Sequence, residues 1–430
     1  MPARIFRILL LGDFGFGESY EGGGARMTRE RGYLAGLEAL QRFSDRADAF
    51  ALNLETPLLD PAKIQSPFGQ DKPYVHWSAE ESANHLAALG VDAVSLANNH
   101  TMDFGTAGLR NTLQVLEGVG IAAFGAGRSL DQALRPWTVD LREQVGGGRI
   151  VFHGGFERRR TYEERYRFYA KSDQPGCYPI SPDDLGDRSI RNSDPTALHV
   201  VFPHWGPNYR WRSRRQRVYA QALLKAGADL VIGHGAHCLQ QVERRQRRWV
   251  AYGIGNGHFQ SPGRYQRYEV ENGILPMSAW TMLEVTEVGA QRAINVKLYP
   301  VYSDNRRTGF TPHPVSEKDF DRVTAAIRDQ TVRPERFDNP FRSVGQDDLG
   351  FHILLDAGVW PIGDRPRHAS IQSDARPSLR SEPRSNASPH RQASEPKARM
   401  RDQAGLVAAL RSAKSMMGTA TFRDAPTPGK

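Results

Sequence analysis

The sequence contains little cysteine and no long apolar run, and both absences restrict what the protein can be. Its two cysteines, Cys177 and Cys238, form no Cys-x-x-Cys pair, so we expect no disulfide framework. No apolar run approaches the length of a membrane span. The first apolar run, residues 8–11, is also too short for the core of a signal peptide. We therefore expect a cytoplasmic protein without a membrane span.

The chain is basic overall but lacks a motif typical of nucleic-acid binding. It has 57 Lys and Arg against 48 Asp and Glu, which gives a net charge of +9. Such a balance is compatible with nucleic acid, a membrane surface or an anionic substrate as partner. Since no stretch interleaves basic and aromatic residues, we expect no nucleic-acid partner. Binding through a basic tail is the weaker alternative, and it predicts a strongly salt-dependent affinity for DNA.

The composition changes near residue 361 and divides the chain in two. Arg, Ser, Pro, Ala, Gln and Glu dominate residues 364–401. Such a segment cannot bury enough apolar area to offset the entropy lost on ordering. The sequence therefore predicts a folded domain over residues 1–360 and a disordered Arg/Ser/Pro-rich tail over residues 361–430.

Apolar runs that indicate strands alternate with amphipathic stretches that indicate helices. Strands are predicted at residues 5–11, 49–54, 91–96, 121–124, 150–153 and 197–202, and helices at residues 34–43, 80–89, 105–118 and 216–226. This alternation is typical of a largely parallel sheet in an α/β fold. Further along, a mixed sheet is indicated by a hairpin over residues 242–250, strands at 251–256, 281–285 and 293–299, and a helix at 317–328.

Side chains that can bind a metal follow several of these strands. In chain order they are Asp13, Asn53, Glu55 and His204. Taken alone, each of these residues could instead have a structural role, as a turn cap, on the solvated face of an edge strand or as a structural histidine. The strongest local metal signal comes later, where His234 and His237 follow a glycine-flanked turn and can face one point.

The most distinctive stretch is Asn98-Asn99-His100, which connects an apolar strand to the amphipathic helix that begins at Gly105. Open α/β sheets bind ligands at such strand ends. An Asn and a His side by side offer one oxygen ligand and one imidazole. The recurrence of such side chains at strand ends indicates a shared site.

Taken in order, these motifs resemble the CapA family, the poly-gamma-glutamate capsule biosynthesis proteins of bacteria. The resemblance covers roughly residues 5–302 and rests on Gly12-Asp13, Asn53-Leu54-Glu55-Thr56-Pro57, Ala97-Asn98-Asn99-His100-x-x-Asp103-x-Gly105, His204-Trp205-Gly206, Gly233-His234-x-x-His237 and Gly255-Asn256. The family is similar to the calcineurin-like metallophosphoesterases. The resemblance therefore implies a four-layer α-β-β-α sandwich with mixed sheets.

The resemblance also implies roles for individual residues. The metal ligands it implies are Asp13, Asn53, Glu55, Asn99, His204, His234 and His237, with Glu55 in the place of the bridging acid. His100 matches the catalytic histidine, and Asp103 is expected to orient it. We place Trp205 and Asn256 on the substrate side.

A site of this composition has a definite chemistry. The resemblance implies two divalent ions, and mixed nitrogen and oxygen ligands without thiolate favour Mn, Fe or Zn for them. Such a pair lowers the pKa of a bridging water and binds the oxygens of a phosphoryl or acyl centre. We expect a metal-dependent hydrolase or transferase acting on an anionic phosphoester or a glutamyl/amide-type small molecule or polymer. The alternative is a non-catalytic metal-binding scaffold, a partner subunit of a polymer synthase or amide ligase.

The sequence departs from the family pattern at three points. The Asp-x-His start of the phosphoesterases is absent, because Gly15 follows Phe14. Pro207-Asn208 follow His-Trp-Gly, where the family usually has a Glu two residues on. Gly235-Ala236 replace the bulkier residues that are usual between the two later histidines.

Overall fold

The computed structural model describes residues 5–20, 23–141, 145–180, 190, 194, 196–245, 248–289, 291–330, 341 and 343–361. The predicted disordered tail, apart from residue 361, lies outside the described residues, so the predicted division of the chain stays a prediction. Within the described residues, no helix has the length and apolar character needed to cross a membrane.

Strands make up most of the described regular structure. They are β1 (Ile5–Gly15), β2 (Ala49–Leu54), β3 (Ala93–Ser95), β4 (Ala122–Phe124), β5 (Ala126–Gly127), β6 (Trp137–Asp140), β7 (Arg149–Glu157), β8 (Gly176–Cys177), β9 (Pro179–Ile180), β10 (Leu198–His204), β11 (Leu230–Ile232), β12 (Val242–Arg245), β13 (Arg248–Ala251), β14 (Asn256–Phe259), β15 (Met277–Val288), β16 (Gln291–Tyr302), β17 (His313–Pro314), β18 (Ser343–Asp347) and β19 (Gly350–Pro361).

Helices connect many of these strands. They are α1 (Gly23–Arg31), α2 (Glu38–Ser44), α3 (Ser82–Ala88), α4 (Gly105–Gly118), α5 (Leu130–Ala133), α6 (Arg160–Glu164), α7 (Arg214–Ala226), α8 (Tyr265–Asn272), α9 (Asn305–Thr308) and α10 (Glu317–Asp329). Ser316 caps α10 by accepting a hydrogen bond from the Asp319 N–H. Ser213 and Gln216 form a capping box at the start of α7.

Two mixed sheets carry the fold. The first has the order β18-β19-β16-β15-β1-β2-β3-β4, with β14 paired to β1 and β17 to β16. Its β1–β4 part is parallel and its β15–β19 part antiparallel. The second has the order β12-β13-β11-β10-β7-β6, with β9 paired to β7. Its central strands are parallel and both edge strands are antiparallel.

The sheets face each other across an apolar core, with helices on both outer faces. Ile8 and Leu10 of β1 pack in one cluster with Phe202 of β10, between the sheets. Leu9 and Leu11 point the other way, into a cluster that contains apolar side chains of α2, α3 and α4. On the far side of the second sheet, side chains of β10 and β11 pack against α7. This order of layers confirms the four-layer α-β-β-α sandwich with mixed sheets.

The strand predicted at residues 251–256 is wrong. That segment leaves β13 at Ala251, and the next strand, β14, begins at Asn256. The reason lies at Gly255, whose left-handed φ of 70° interrupts an extended strand. A Cβ on Gly12 would lie 1.8 Å from the Gly255 carbonyl oxygen, so the two backbones meet closely here. The turn pairs Asn256 with Asp13 in parallel register.

Candidate metal centre

Asp13 lies at the middle of the candidate site, at the point where strand ends of both sheets meet. It belongs to β1, and its side chain is fully buried. Its Oδ1 lies 3.2 Å from Nδ1 of His234, and its Oδ2 lies 3.1 Å from Nδ1 of His237. Nδ1 of His204 is 3.5 Å from Oδ1. Burial alone would raise the pKa of Asp13, but the three histidines outweigh it and hold the pKa well below its ordinary value.

Glu55 directly follows β2 and completes the anionic part of the site. Its carboxylate is fully buried, and neither oxygen has a hydrogen-bond partner among the described residues. Oε1 lies 3.7 Å from Nε2 of His204 and 3.8 Å from Nε2 of His237. Burial, with the nearby charge of Asp13, raises the pKa of Glu55 well above its ordinary value.

The three histidines come from two neighbouring parts of the second sheet. His204 ends β10, and a single bridge pairs it with His234, which follows β11. Their Nδ1 atoms are 3.2 Å apart. Burial lowers the pKa of His204 to about 4. Burial would also lower the pKa of His237, but Glu55 and Asp13 outweigh it and raise that pKa to about 9.

These side chains form two candidate ligand groups that share Asp13. The first is Asp13, His204 and His234, and the second is Asp13, Glu55 and His237; in each, the ligand atoms all lie within 4.8 Å of one another. Carboxylate and imidazole without thiolate fit Mn, Fe or Zn. Buried polar atoms are almost always satisfied, so the two unpartnered oxygens of Glu55 call for a cation. The donor set therefore fits a divalent metal.

Asn53 points its amide nitrogen, not its oxygen, at these groups. Its Nδ2 donates to Oδ1 of Asp13 at 2.9 Å, while its Oδ1 accepts from Nδ2 of Asn98 at 3.1 Å. The orientation of Asn98 is itself fixed, because its Nδ2 also donates to the Leu54 carbonyl and its Oδ1 accepts from the His100 N–H. Asn53 thus donates a hydrogen bond to Asp13 through its amide nitrogen. Its amide oxygen, which a metal would need, does not face the candidate ligands.

Asn99 differs from its fully buried neighbour Asn98. Its side chain is half-buried, and its Oδ1 has no hydrogen-bond partner among the described residues. That oxygen is therefore free to bind a cation, whereas the oxygen of Asn53 already accepts a hydrogen bond from Asn98.

His100 and Asp103 form a buried pair next to Glu55. Nδ1 of His100 lies 2.8 Å from Oδ2 of Asp103, and Nε2 lies 4.0 Å from Oε1 of Glu55. Burial, with the charge of Lys72, lowers the pKa of His100 well below its ordinary value. Burial raises the pKa of Asp103 to about 6, although Lys72 opposes the shift. The pair leaves the far ring nitrogen of His100 facing the candidate ligands.

Sequence reasoning missed Lys72 and His76, which both contact this pair. Nζ of Lys72 lies 2.7 Å from Oδ1 of Asp103, and the backbone N–H of His76 donates to Oδ2 at 2.7 Å. The His76 ring packs 4.1 Å from that of His100 and pairs with the hydroxyl of Tyr20 at 2.9 Å. Residues 61–77 have no hydrophobic period that would predict their path, so no local signal pointed to them.

The two residues placed on the substrate side have different surroundings. Asn256 joins the site, because its Oδ1 accepts from Nδ1 of His237 at 2.9 Å. Trp205 is 1% exposed, lies in the cluster packed against α7, and donates its Nε1–H to the Tyr252 carbonyl at 2.7 Å. Strand alternation gives the reason, since a residue next to the inward His204 points to the opposite face of the sheet. The backbone N–H of Trp205 donates to the His234 carbonyl, but the Trp205 side chain lies away from the candidate ligands.

Comparison with known proteins identifies a family for most of the described domain. The family model described as "Bacterial capsule synthesis protein PGA_cap" matches residues 7–261, more than half of the chain. That span contains every candidate ligand, from Asp13 to His237.

Three curated relatives have informative names. A "Probable polyglutamine synthesis accessory protein" of Mycobacterium tuberculosis is 28% identical over 61% of this chain and 68% of its own length. The "PGA biosynthesis protein CapA" of Bacillus subtilis is 28% identical over 54% of this chain and 58% of its own length. The "Capsule biosynthesis protein CapA" of Bacillus anthracis is 28% identical over 49% and 50%. On the strength of the family match, the chain belongs to the bacterial capsule synthesis protein family PGA_cap.

Proposed function

We propose that this protein is a metal-dependent hydrolase or transferase that acts on a phosphoester or a glutamyl/amide-type substrate in a CapA-like role. One observation carries the proposal. A fully buried carboxylate, Glu55, has two unpartnered oxygens and lies between histidines that also surround a second carboxylate, Asp13. Uncompensated buried charge is costly, and a cation removes that cost.

The proposed ligands are the members of the two candidate groups, with Asn99 added because its Oδ1 has no hydrogen-bond partner among the described residues. Two divalent ions, Mn, Fe or Zn, would be held by Asp13, Glu55, Asn99, His204, His234 and His237. Asn53 orients Asp13, and Asn256 orients His237, through the hydrogen bonds described above. When bound, the ions supply an activated water and bind the oxygens of the reacting centre.

His100 supplies the proton chemistry. Oδ2 of Asp103 accepts from Nδ1, so Nε2 is the nitrogen that faces the candidate ligands and can exchange a proton with a leaving oxygen or nitrogen. Burial keeps water away from the pair, since His100 is 6% exposed and Asp103 is fully buried. Asp103 acts through His100 and is a positioning residue.

A second candidate is a non-catalytic partner subunit of a polymer synthase or amide ligase. The name of the mycobacterial relative, an accessory protein of polyglutamine synthesis, favours it. In that case the same groups would bind metal as a structural element, with a synthase or ligase as the partner.

Metal content tests the proposal directly. We expect about two equivalents of Mn, Fe or Zn in the purified protein by elemental analysis, as two ligand groups require, and loss of most of it in the His234→Ala/His237→Ala variant. His313→Ala, at an exposed histidine, is the control and should keep its metal. A wild-type protein that holds no metal and takes up none on incubation would contradict the proposal.

A second variant separates enzyme from scaffold. His100→Ala should keep its metal but lose turnover of bis(p-nitrophenyl) phosphate or a γ-glutamyl p-nitroanilide by about 10²- to 10⁴-fold, the usual contribution of a positioned general acid. If the metal-loaded wild type turns over neither probe, while the metal remains necessary for stability, the scaffold is favoured.

A further inference from the structure

A buried lysine, Lys72, contacts Asp103, and Asp103 in turn contacts His100, the proposed catalytic histidine. Lys72 lies in the connection between β2 and α3, which contains no helix or strand. Its side chain is 4% exposed, and its Nζ lies 2.7 Å from Oδ1 of the fully buried Asp103. The same Nζ donates to the Tyr74 carbonyl at 2.7 Å. Lysine is almost never buried without a charged partner, and here the partner is the residue that contacts His100.

The two oxygens of Asp103 are divided between different neighbours. Oδ1 faces Lys72, whereas Oδ2 accepts from the His76 N–H and from Nδ1 of His100. A carboxylate only accepts hydrogen bonds, so the proton of this contact belongs to Nδ1. With Nδ1 occupied, Nε2 is the nitrogen left to face Glu55.

We propose that Lys72 is a positioning residue for His100: its ammonium fixes the Asp103 carboxylate in the rotation and charge state that hold the imidazole with Nδ1–H inward and Nε2 toward the metal groups. The inference rests on the proposed function, because it assigns the orientation that the reaction needs. No described group donates a hydrogen bond to Oδ1 of Asp103 with good geometry, so the Lys72 ammonium is the charge that compensates this buried oxygen. Without Lys72 the buried carboxylate would lose its cation, and it would have to rotate or bind a proton.

The test uses variants that separate charge from packing. Lys72→Met and Lys72→Gln remove the charge, and only the Gln side chain can still donate a hydrogen bond. Lys72→Arg keeps the charge and should rescue. Lys63→Met is the matched control, since Lys63 lies in the same connection with a side chain that is 75% exposed. Thermal melting establishes that each variant is folded.

The primary measurement is the imidazole nitrogen NMR spectrum of ¹⁵N-histidine-labelled protein, prepared with zinc as the only divalent ion. His100→Gln identifies the His100 signals. We expect a single tautomer protonated at Nδ1 in the wild type, Lys63→Met and Lys72→Arg. In Lys72→Met and Lys72→Gln we expect that pattern to be replaced by a tautomer mixture or by protonation of Nε2.

Turnover of the probe substrate gives a second readout. The uncharged variants should lower kcat at least tenfold and change KM less than threefold, because Lys72 does not contact the ligand groups. If the wild type turns over no probe, the proposed function fails, while the NMR result still decides the role of Lys72.

Two outcomes would overturn the inference. One is a folded Lys72→Met or Lys72→Gln protein whose His100 keeps the wild-type tautomer. The other is failure of both uncharged variants to fold while Lys72→Arg folds, which would mean that the charge maintains the fold rather than the orientation of His100.

Discussion

The side-chain amide of Asn98 donates to the side-chain oxygen of Asn53 at 3.1 Å. This bond determines that the amide nitrogen of Asn53, and not its oxygen, faces the candidate ligand groups. Asn98 cannot turn over, because the Leu54 carbonyl and the His100 N–H fix its two ends. Of the two adjacent asparagines, Asn98 therefore ties β2 to the loop after β3. Asn99 is left with the oxygen that can bind a cation.

This division of roles predicts that substitution of Asn98 mainly lowers stability, whereas substitution of Asn99 mainly lowers metal content. Asn98→Ala should lower the free energy of unfolding of chelator-treated protein by about 3 kcal/mol, because buried backbone groups lose their partners. Asn99→Ala should lower it less, by about 0.5–1.5 kcal/mol, because the half-buried Asn99 side chain bonds to the Tyr162 side chain and not to buried backbone groups, but it should reduce metal content. Urea denaturation and elemental analysis measure the two effects. Equal losses of stability would mean that the two roles are not separated.

Gly235 predicts a second contrast, because both its backbone conformation and its close approach to His204 favour glycine. Its φ is 97°, and an added Cβ would lie 2.9 Å from Nε2 of His204. Its N–H also donates to Oδ2 of Asp13. Gly235→Ala should therefore cost about 1–3 kcal/mol of stability from backbone strain and also displace His204.

Gly120→Ala is the control for that substitution. Gly120 also has a positive φ, 77°, but nothing lies within 4 Å of an added Cβ. It should show the cost in stability without loss of metal. If Gly235→Ala retained full metal content, close contact with His204 would not explain why glycine is found there.

Much of the site was predictable because it lies at strand ends. The carboxyl ends of parallel strands meet at one edge, so Asp13, Glu55, His204 and His234 could be grouped from their positions after apolar runs alone. The resemblance implies Glu55 as the bridging acid, and that role stays a prediction; in the structure Asp13 belongs to both candidate ligand groups. Which of two carboxylates is central depends on distances between sheets, and no local pattern contains them.

The rest depended on contacts that have no local signal. The orientation of Asn53 is set by Asn98, which lies 45 residues along the chain in the loop after β3. Lys72 reaches Asp103 from a connection without periodicity. The placement of Trp205 is different. Trp205 directly follows β10, so alternation alone predicts that its side chain lies on the face opposite His204, and its substrate-binding role stays a prediction.

The backbone of His237 predicts that a distant tyrosine affects metal binding. His237 has a left-handed φ of 57°, which is strained for a residue other than glycine. The hydroxyl of Tyr265 donates to its carbonyl and pairs with Oγ of Ser303 at 2.8 Å. Tyr265→Phe removes that support, so zinc affinity in a chelator competition should fall about five- to tenfold, the equivalent of one hydrogen bond of about 1–1.4 kcal/mol.

Tyr268→Phe is the matched control, because Tyr268 stacks on Tyr209 and does not contact His237 through a hydroxyl bond in the described structure. Zinc affinity should stay within twofold of the wild type. A similar loss in both variants would indicate a general effect of the aromatic cluster rather than support of one carbonyl.

A pair of histidines remote from the metal groups predicts part of the acid sensitivity. Nε2 of His153 lies 3.1 Å from Nδ1 of His199, and both side chains are buried. Burial, with the neighbouring His199, lowers the pKa of His153 to about 3. In the unfolded chain its pKa is about 6.5, so between pH 6.5 and 3 the unfolded state binds the additional proton.

Stability is therefore full above about pH 6.5 and is lost as the pH falls toward 3. Between pH 7 and pH 5, chelator-treated wild-type protein should lose about 2 kcal/mol more unfolding free energy than His153→Gln, whose amide can still bond to His199 but does not titrate. His313→Gln, at an exposed histidine, controls for the loss of a histidine as such. Parallel curves for wild type and His153→Gln would show that His153 takes up its proton without unfolding. The folded protein would then hold a protonated, positively charged His153 between β7 and β10, although burial of that side chain disfavours the charge.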